Sequence, residues 1–133
     1  MIVALCSAAI AFPAQAQSWQ QIEARYTPQF ESCMESLDPA KDSDLAMAEC
    51  MASETLRQDA RLTQTYSMTP ASLQPDEQKD LSAAEKAWIK QRDSACNEGI
   101  LGVAGDSKRK LAFAECMLDA SIRRAIWLEN YQP

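Results

Sequence analysis

The chain has 133 residues, which fits one domain, and it sets 13 lysines and arginines against 19 aspartates and glutamates with no histidine. A net charge of −6 repels nucleic acid and anionic membrane surfaces and favours basic partners. The missing histidine excludes Ser-His and Cys-His catalysis, and without a C-x-x-C pair the cysteines do not make a zinc ligand set.

Residues 1–16, MIVALCSAAIAFPAQA, form an uncharged apolar run ending in Ala14-Gln15-Ala16, the small-x-small pattern that signal peptidase cuts. The basic start of a leader is missing, so a start codon upstream of Met1 is expected; a buried apolar helix is the alternative. The run is too short to span a bilayer, which takes about 20 apolar residues. Cys6 leaves with this leader, and a single domain is expected over residues 17–133. It keeps Cys33, Cys50, Cys96 and Cys116, and an even count in a small exported domain reads as two disulfides.

The next elements follow from caps and apolar spacing. A helix starts at Trp19 with Ser18 as cap, restarts at Pro28 with Thr27 as a second cap, and ends near Leu37 because Asp38-Pro39 does not continue a helix. A second helix starts after Asp42 or Ser43 and runs to about Tyr66, with Leu45, Ala48, Ala52, Leu56, Leu62 and Tyr66 as its apolar line. Residues 67–74 form a loop. A third helix begins at Pro75, has Asp76 and Glu77 in its first turn, and buries Leu81, Ala84, Trp88 and Ala95, with Arg92 on the same line. Gly99, Gly102 and Gly105 unwind the chain. Asp106 then caps a fourth helix that turns Leu111, Ala114, Leu118, Ile122 and Ala125 inward and ends near Tyr131. No window alternates with the period of two that a strand needs. The fold expected is all-α, a small antiparallel four-helix bundle stapled by two disulfides.

Four cysteines allow three pairings. If the first two helices form a hairpin turning near residue 41 or 42, Cys33 and Cys50 stand equally far from the turn. Cys96 and Cys116 flank the glycine loop less symmetrically, by about one helical turn, which the loop absorbs. The spacing favours Cys33–Cys50 and Cys96–Cys116. Each closes a loop of under about 22 residues, worth roughly 3 kcal/mol in the chain-entropy treatment.

The segment LSAAEKAWIKQRDSAC, residues 81–96, carries the most specific signal. It resembles the signature of the lysozyme-inhibitor LprI-like family at Leu81, Ala84, Ala87, Trp88, Arg92, Asp93 and Cys96, with Glu85 where Gln is usual and Gln91 where an aromatic is usual. Asp59, Leu62 and Tyr66 are similar to an upstream family helix, with Thr63 in place of its Asn. Cys50, and then Cys116, Arg123 and Leu128, fit the family's early cysteine and its ending. The resemblance covers roughly residues 33–128. It implies a small helical exported domain and, in the namesake branch, action against lysozyme.

Read without the resemblance, Trp88 and Arg92 lie four apart on one helix, where indole and guanidinium stack. Tyr66 and Arg123 are expected near them, with Asp59 neutralising Arg92 or Arg123. A structural network of Asp59, Leu62, Tyr66, Trp88, Arg92, Asp93 and Arg123 is the preferred reading, and ligand recognition the lesser one. The glycines have the wrong spacing for a phosphate loop, and the carboxylates sit in helix first turns and on polar faces rather than as an acid pair. A binding protein is expected rather than an enzyme, with no cofactor, no metal and no stable membrane insertion. Its partner would be a basic protein such as a lysozyme, and an envelope interaction module without a hydrolase target is the alternative. Two acidic segments are candidate contacts: residues 38–44, with Asp38, Asp42 and Asp44, and residues 67–80, with Asp76 and Glu77. The sequence leaves the oligomeric state open.

Overall fold

Pro28 decides how the N-terminal arm folds. It has no N–H to offer a continuing helix, and it pushes the residue before it into extended backbone. In the computed structural model, which describes residues 17–41 and 43–133, Thr27 is accordingly extended at φ −81°, ψ 154°. The expected leader at residues 1–16, and Asp42, lie outside the described residues. The arm is therefore two short helices at a corner, α1 (Trp19–Glu23) and α2 (Pro28–Glu35). Ser18 and Gln21 cap α1 reciprocally, and the Thr27 hydroxyl accepts from the Phe30 N–H to cap α2.

Three long helices follow: α3 (Asp44–Met68), α4 (Pro75–Gly99) and α5 (Asp106–Glu129), with a short 3₁₀ turn (Thr69–Ser72) after α3. The fold is all-helical and forms a four-helix bundle, with the α1–α2 arm as its first member, and no strand occurs among the described residues. Leu62 of α3 packs with Ala125 and Leu128 of α5, and Cys50 with Leu118 and Ile122, so α3 and α5 run in the same direction. The α4 helix returns antiparallel and packs against α5. Among the described residues no helix is long and apolar enough to cross a membrane.

The interior has two apolar clusters. Ile22, Phe30, Cys50, Leu118, Ile122 and Ile126 join the arm to α3 and α5, and Leu62, Leu73, Leu81, Ala125 and Leu128 close the other end. The disulfides are Cys33–Cys50 and Cys96–Cys116, with Cα atoms 5.8 and 5.6 Å apart. The first ties α2 to α3 and the second ties α4 to α5 across the glycine loop. Both lie toward the end that holds the N-termini of α3 and α5, while the opposite end depends on leucine packing.

Several details depart from the sequence reading. Leu56 is 74 % exposed and Leu45 37 %, Ala52 is exposed too, and the buried face of α3 carries Ala48, Cys50, Glu54, Thr55, Gln58 and Leu62. The cause is the α1–α2 corner. Its backbone groups are buried against α3 and require polar partners, so Glu54 and Gln58 go inside. On α4, Ala84 and Ala95 are exposed and Glu85 is buried beside Leu81 and Cys96. Gly105, not Asp106, occupies the cap position of α5. Its φ of 90° is a left-handed value that favours glycine, while Asp106 stands in the first turn paired with Arg109. Gly99 is the last residue of α4 rather than part of the loop.

Candidate functional site

A polar seam runs between α3, α4 and α5. Arg92, with its side chain only 10 % exposed, points its Nη1 at Asp59 at 3.1 Å and its Nε at Asp93 at 3.0 Å. The Ser121 hydroxyl donates to Asp59 at 2.6 Å and accepts from Arg92 at 3.2 Å, which closes a three-helix triangle. The Arg92 guanidinium lies 5.0 Å from the centre of the Trp88 ring. One turn further along α5, Arg124 sits 5.3 Å from Trp88 and 3.9 Å from Trp127, and its Nε and Nη2 donate to Glu85 at 2.9 and 2.7 Å. Two arginines thus share one indole, each with its own carboxylate. A buried cation is tolerated only with such compensation.

The seam brings together Asp59, Trp88, Arg92 and Asp93, while Leu62 is buried in the leucine cluster and Tyr66 packs against it. Arg123 is not part of it. Its Nε meets Asp119 at 2.7 Å and its Nη1 donates to the Gln17 carbonyl at 3.1 Å, tying α5 to the start of the arm. The cation that does join Trp88 is its neighbour Arg124. Sequence reasoning missed Arg124, Ser121 and the use of Glu85. The available signal was Glu85 itself, three positions before Trp88 and four after Leu81, hence on the buried face.

A second polar centre lies under the arm. Glu54 is fully buried, and its carboxylate accepts from the Thr27 N–H at 3.0 Å, the Thr27 hydroxyl at 2.6 Å, Arg57 Nε at 2.7 Å and Gln58 Nε2 at 2.6 Å. Gln58 also donates to the Arg25 carbonyl at 2.7 Å. Burial pushes the Glu54 carboxyl up, but the bonds from Thr27, Gln58 and Arg57 outweigh it and hold the group below the ordinary carboxylate value. A carboxyl kept ionised in this way suits anchoring and not proton donation. At the surface, a hydrogen bond with Glu129 raises Arg25, against a smaller opposing effect of burial, and lowers Glu129.

The acidic contact candidates occupy local roles. Asp38 accepts from the Ala40 N–H at 2.9 Å and pairs with Lys41 at 3.3 Å. Asp44 and Asp76 stand in the first turns of α3 and α4, and Glu77 accepts from the Gln74 N–H at 2.8 Å to cap α4. Asp42 lies outside the described residues. No group of three or more His, Cys, Asp or Glu side chains among the described residues is placed to hold a metal ion.

Two cavities stand out. One of about 650 Å³ opens between the N-terminal halves of α3 and α5 and the end of α4, and is lined by Leu45, Ile100, Phe113 and Met117 together with Glu49, Asp106, Arg109 and Lys110. The other, of about 480 Å³, lies between the arm and α5 and is lined by Trp19, Tyr26, Phe30, Met34, Met51 and Leu118, with Glu115 and Asp119.

The scaffold is cross-linked and helical, its interior is pinned by ion pairs, and concave surfaces lie between its helices. The family model described as lysozyme inhibitor LprI matches residues 33–128, and the chain belongs to that family. No curated protein and no solved structure gave a significant match. The matched segment begins at Cys33, so α1 and most of α2 stand before it.

Proposed function

We propose that this chain is an exported inhibitor of lysozyme-type peptidoglycan hydrolases, acting by binding rather than by catalysis. The family match over residues 33–128 carries the proposal. Two disulfides suit an oxidising compartment outside the cytosol. A net charge of −6 draws a basic enzyme toward the surface and speeds encounter, an effect that salt weakens. The cross-linked bundle has little internal freedom to lose on binding, which lowers the ordering cost of association.

The test is turbidity loss of a peptidoglycan suspension treated with a chicken-type lysozyme, with and without the oxidised protein. Slower clearing at micromolar inhibitor, relieved by added salt, is expected. Unchanged clearing at micromolar excess in low salt removes the proposal.

A further inference from the structure

The groove between the arm and α5 is lined differently from the larger cavity. Its walls are aromatic and thioether side chains: Trp19, Tyr26, Phe30, Met34 and Met51. Trp19 is 59 % exposed at the rim, with its indole N–H held by Glu23 at 2.5 Å. Tyr26 and Phe30 stand on either side of the corner with ring centres 4.7 Å from each other. Glu115 and Asp119 of α5 form the opposite lip. Burial pushes the Tyr26 phenol above its ordinary value, and the nearby charges of Glu23, Asp119, Glu54 and Glu115 push it the same way.

The surrounding charge is one-sided. Residues 17–40 carry four carboxylates and a single cation, Arg25, which is bound to Glu129. Nearby, Arg57 and Arg123 are paired with Glu54 and Asp119, and Arg61 donates to the Arg25 carbonyl at 3.1 Å on the α3 side of the arm. Glu115 has no ion-pair partner among the described residues. The larger cavity differs in that its lining mixes Arg109 and Lys110 with Glu49 and Asp106, and so presents no consistent field.

We propose that this aromatic and acidic groove is the docking site for an arginine or lysine side chain displayed by a basic partner protein. Aromatic faces attract a cation within about 6 Å of the ring centre. Carboxylates then receive its N–H donors in charge-assisted bonds. A volume of about 480 Å³ holds a side chain of that size with room for flanking residues. An exposed, oriented tryptophan at the rim is the residue type that most often dominates an interface. The inference rests on the inhibitor reading for the identity of its partner, but the groove's own chemistry specifies only the cation. Trp19, Tyr26 and Phe30 precede the family-matched segment, so the groove joins the family core to a part of the chain outside it.

Two measurements test it. In the first, tri-arginine peptide is titrated into the oxidised protein and followed by NMR. The Trp19 indole and the Met34 and Met51 methyl signals should shift together, and the Met117 methyl, in the other cavity, should not. No shift at millimolar peptide, or shifts confined to other residues, overturns the groove. In the second, calorimetry measures binding of a chicken-type lysozyme by the native chain and by Trp19→Ala, Glu115→Lys and the distant control Asp80→Lys. Losses of about 30-fold and about tenfold are expected for the first two, and none for the control. Equal binding by all four proteins overturns the groove and leaves inhibition standing. If the native chain does not bind lysozyme, the inhibitor reading falls, and the peptide titration still decides the groove.

Discussion

Replacing Glu54 by alanine removes the acceptor on which the α1–α2 corner closes. Four donors lose their partner: the Thr27 N–H and hydroxyl, Arg57 Nε and Gln58 Nε2. Gln58 keeps its bond to the Arg25 carbonyl and Arg57 is partly exposed, so both retain an outlet. The half-buried Thr27 N–H and hydroxyl donate to no other group of the protein, and Glu54 itself is 0 % exposed. A buried donor left unpaired costs about 1–3 kcal/mol, and disrupting a buried charged pair costs about 3–5 kcal/mol. The terms overlap, and about 4 kcal/mol is expected for Glu54→Ala. In a domain of this size each kcal/mol moves Tm by about 4 °C, so the melt should fall by about 15 °C. Glu54→Gln keeps the shape and one acceptor and should lose about half as much.

The two variants also predict a pH dependence. The folded carboxyl lies below its ordinary value of 4.5, so folding favours the ionised form. That contribution is complete above about pH 4.5 and disappears as pH falls through the folded value. The advantage of the native chain over Glu54→Gln, followed by circular dichroism melts, should therefore be flat at neutral pH and shrink in acid. A Glu54→Ala melt within about 3 °C of native, or an advantage over Glu54→Gln that grows in acid, refutes the reasoning.

Other changes give equally definite expectations. Converting either Cys33 and Cys50 or Cys96 and Cys116 to serine should cost about 3 kcal/mol by urea unfolding, nearly the same for both pairs because the sequence separations are 17 and 20. Arg92→Lys keeps the charge but cannot reach Asp59, Asp93 and Ser121 at once, and should lose about 2 kcal/mol in the same assay. Glu85→Gln leaves Arg124 without its carboxylate between two indoles and should cost about 2 kcal/mol, with a change in tryptophan fluorescence. Leu56→Lys should be neutral within about 0.5 kcal/mol, since that side chain is 74 % exposed.

Much of the architecture was legible because it is written locally. Ser18, Thr27, Pro28 and Pro75 mark helix starts by the chemistry of their own side chains. The pairing of the cysteines followed from their distances to the turns. The misplaced inward and outward faces share one cause, the assumption that the inside is apolar. Leu56, Ala84 and Ala95 face out, while Glu54, Gln58 and Glu85 face in. The last three are buried to serve a backbone corner or an arginine contributed by distant parts of the chain, which no local window contains. Arg123 and Arg124 are adjacent in sequence but about 100° apart around α5. Only the rotation of that helix decides which of them meets Trp88. The groove was hidden for a similar reason, since its walls come from the arm and from α5, which Gln17 and Arg123 join across 106 positions.

Inhibition as proposed requires the disulfide-locked acidic bundle to bind a basic wall hydrolase. The most direct measurement is a titration of initial lysis rate against inhibitor concentration, run with oxidised and with reduced, alkylated protein at two ionic strengths. The oxidised form should give a saturable decline that weakens at the higher salt and is lost on reduction. A flat titration for the oxidised protein contradicts it.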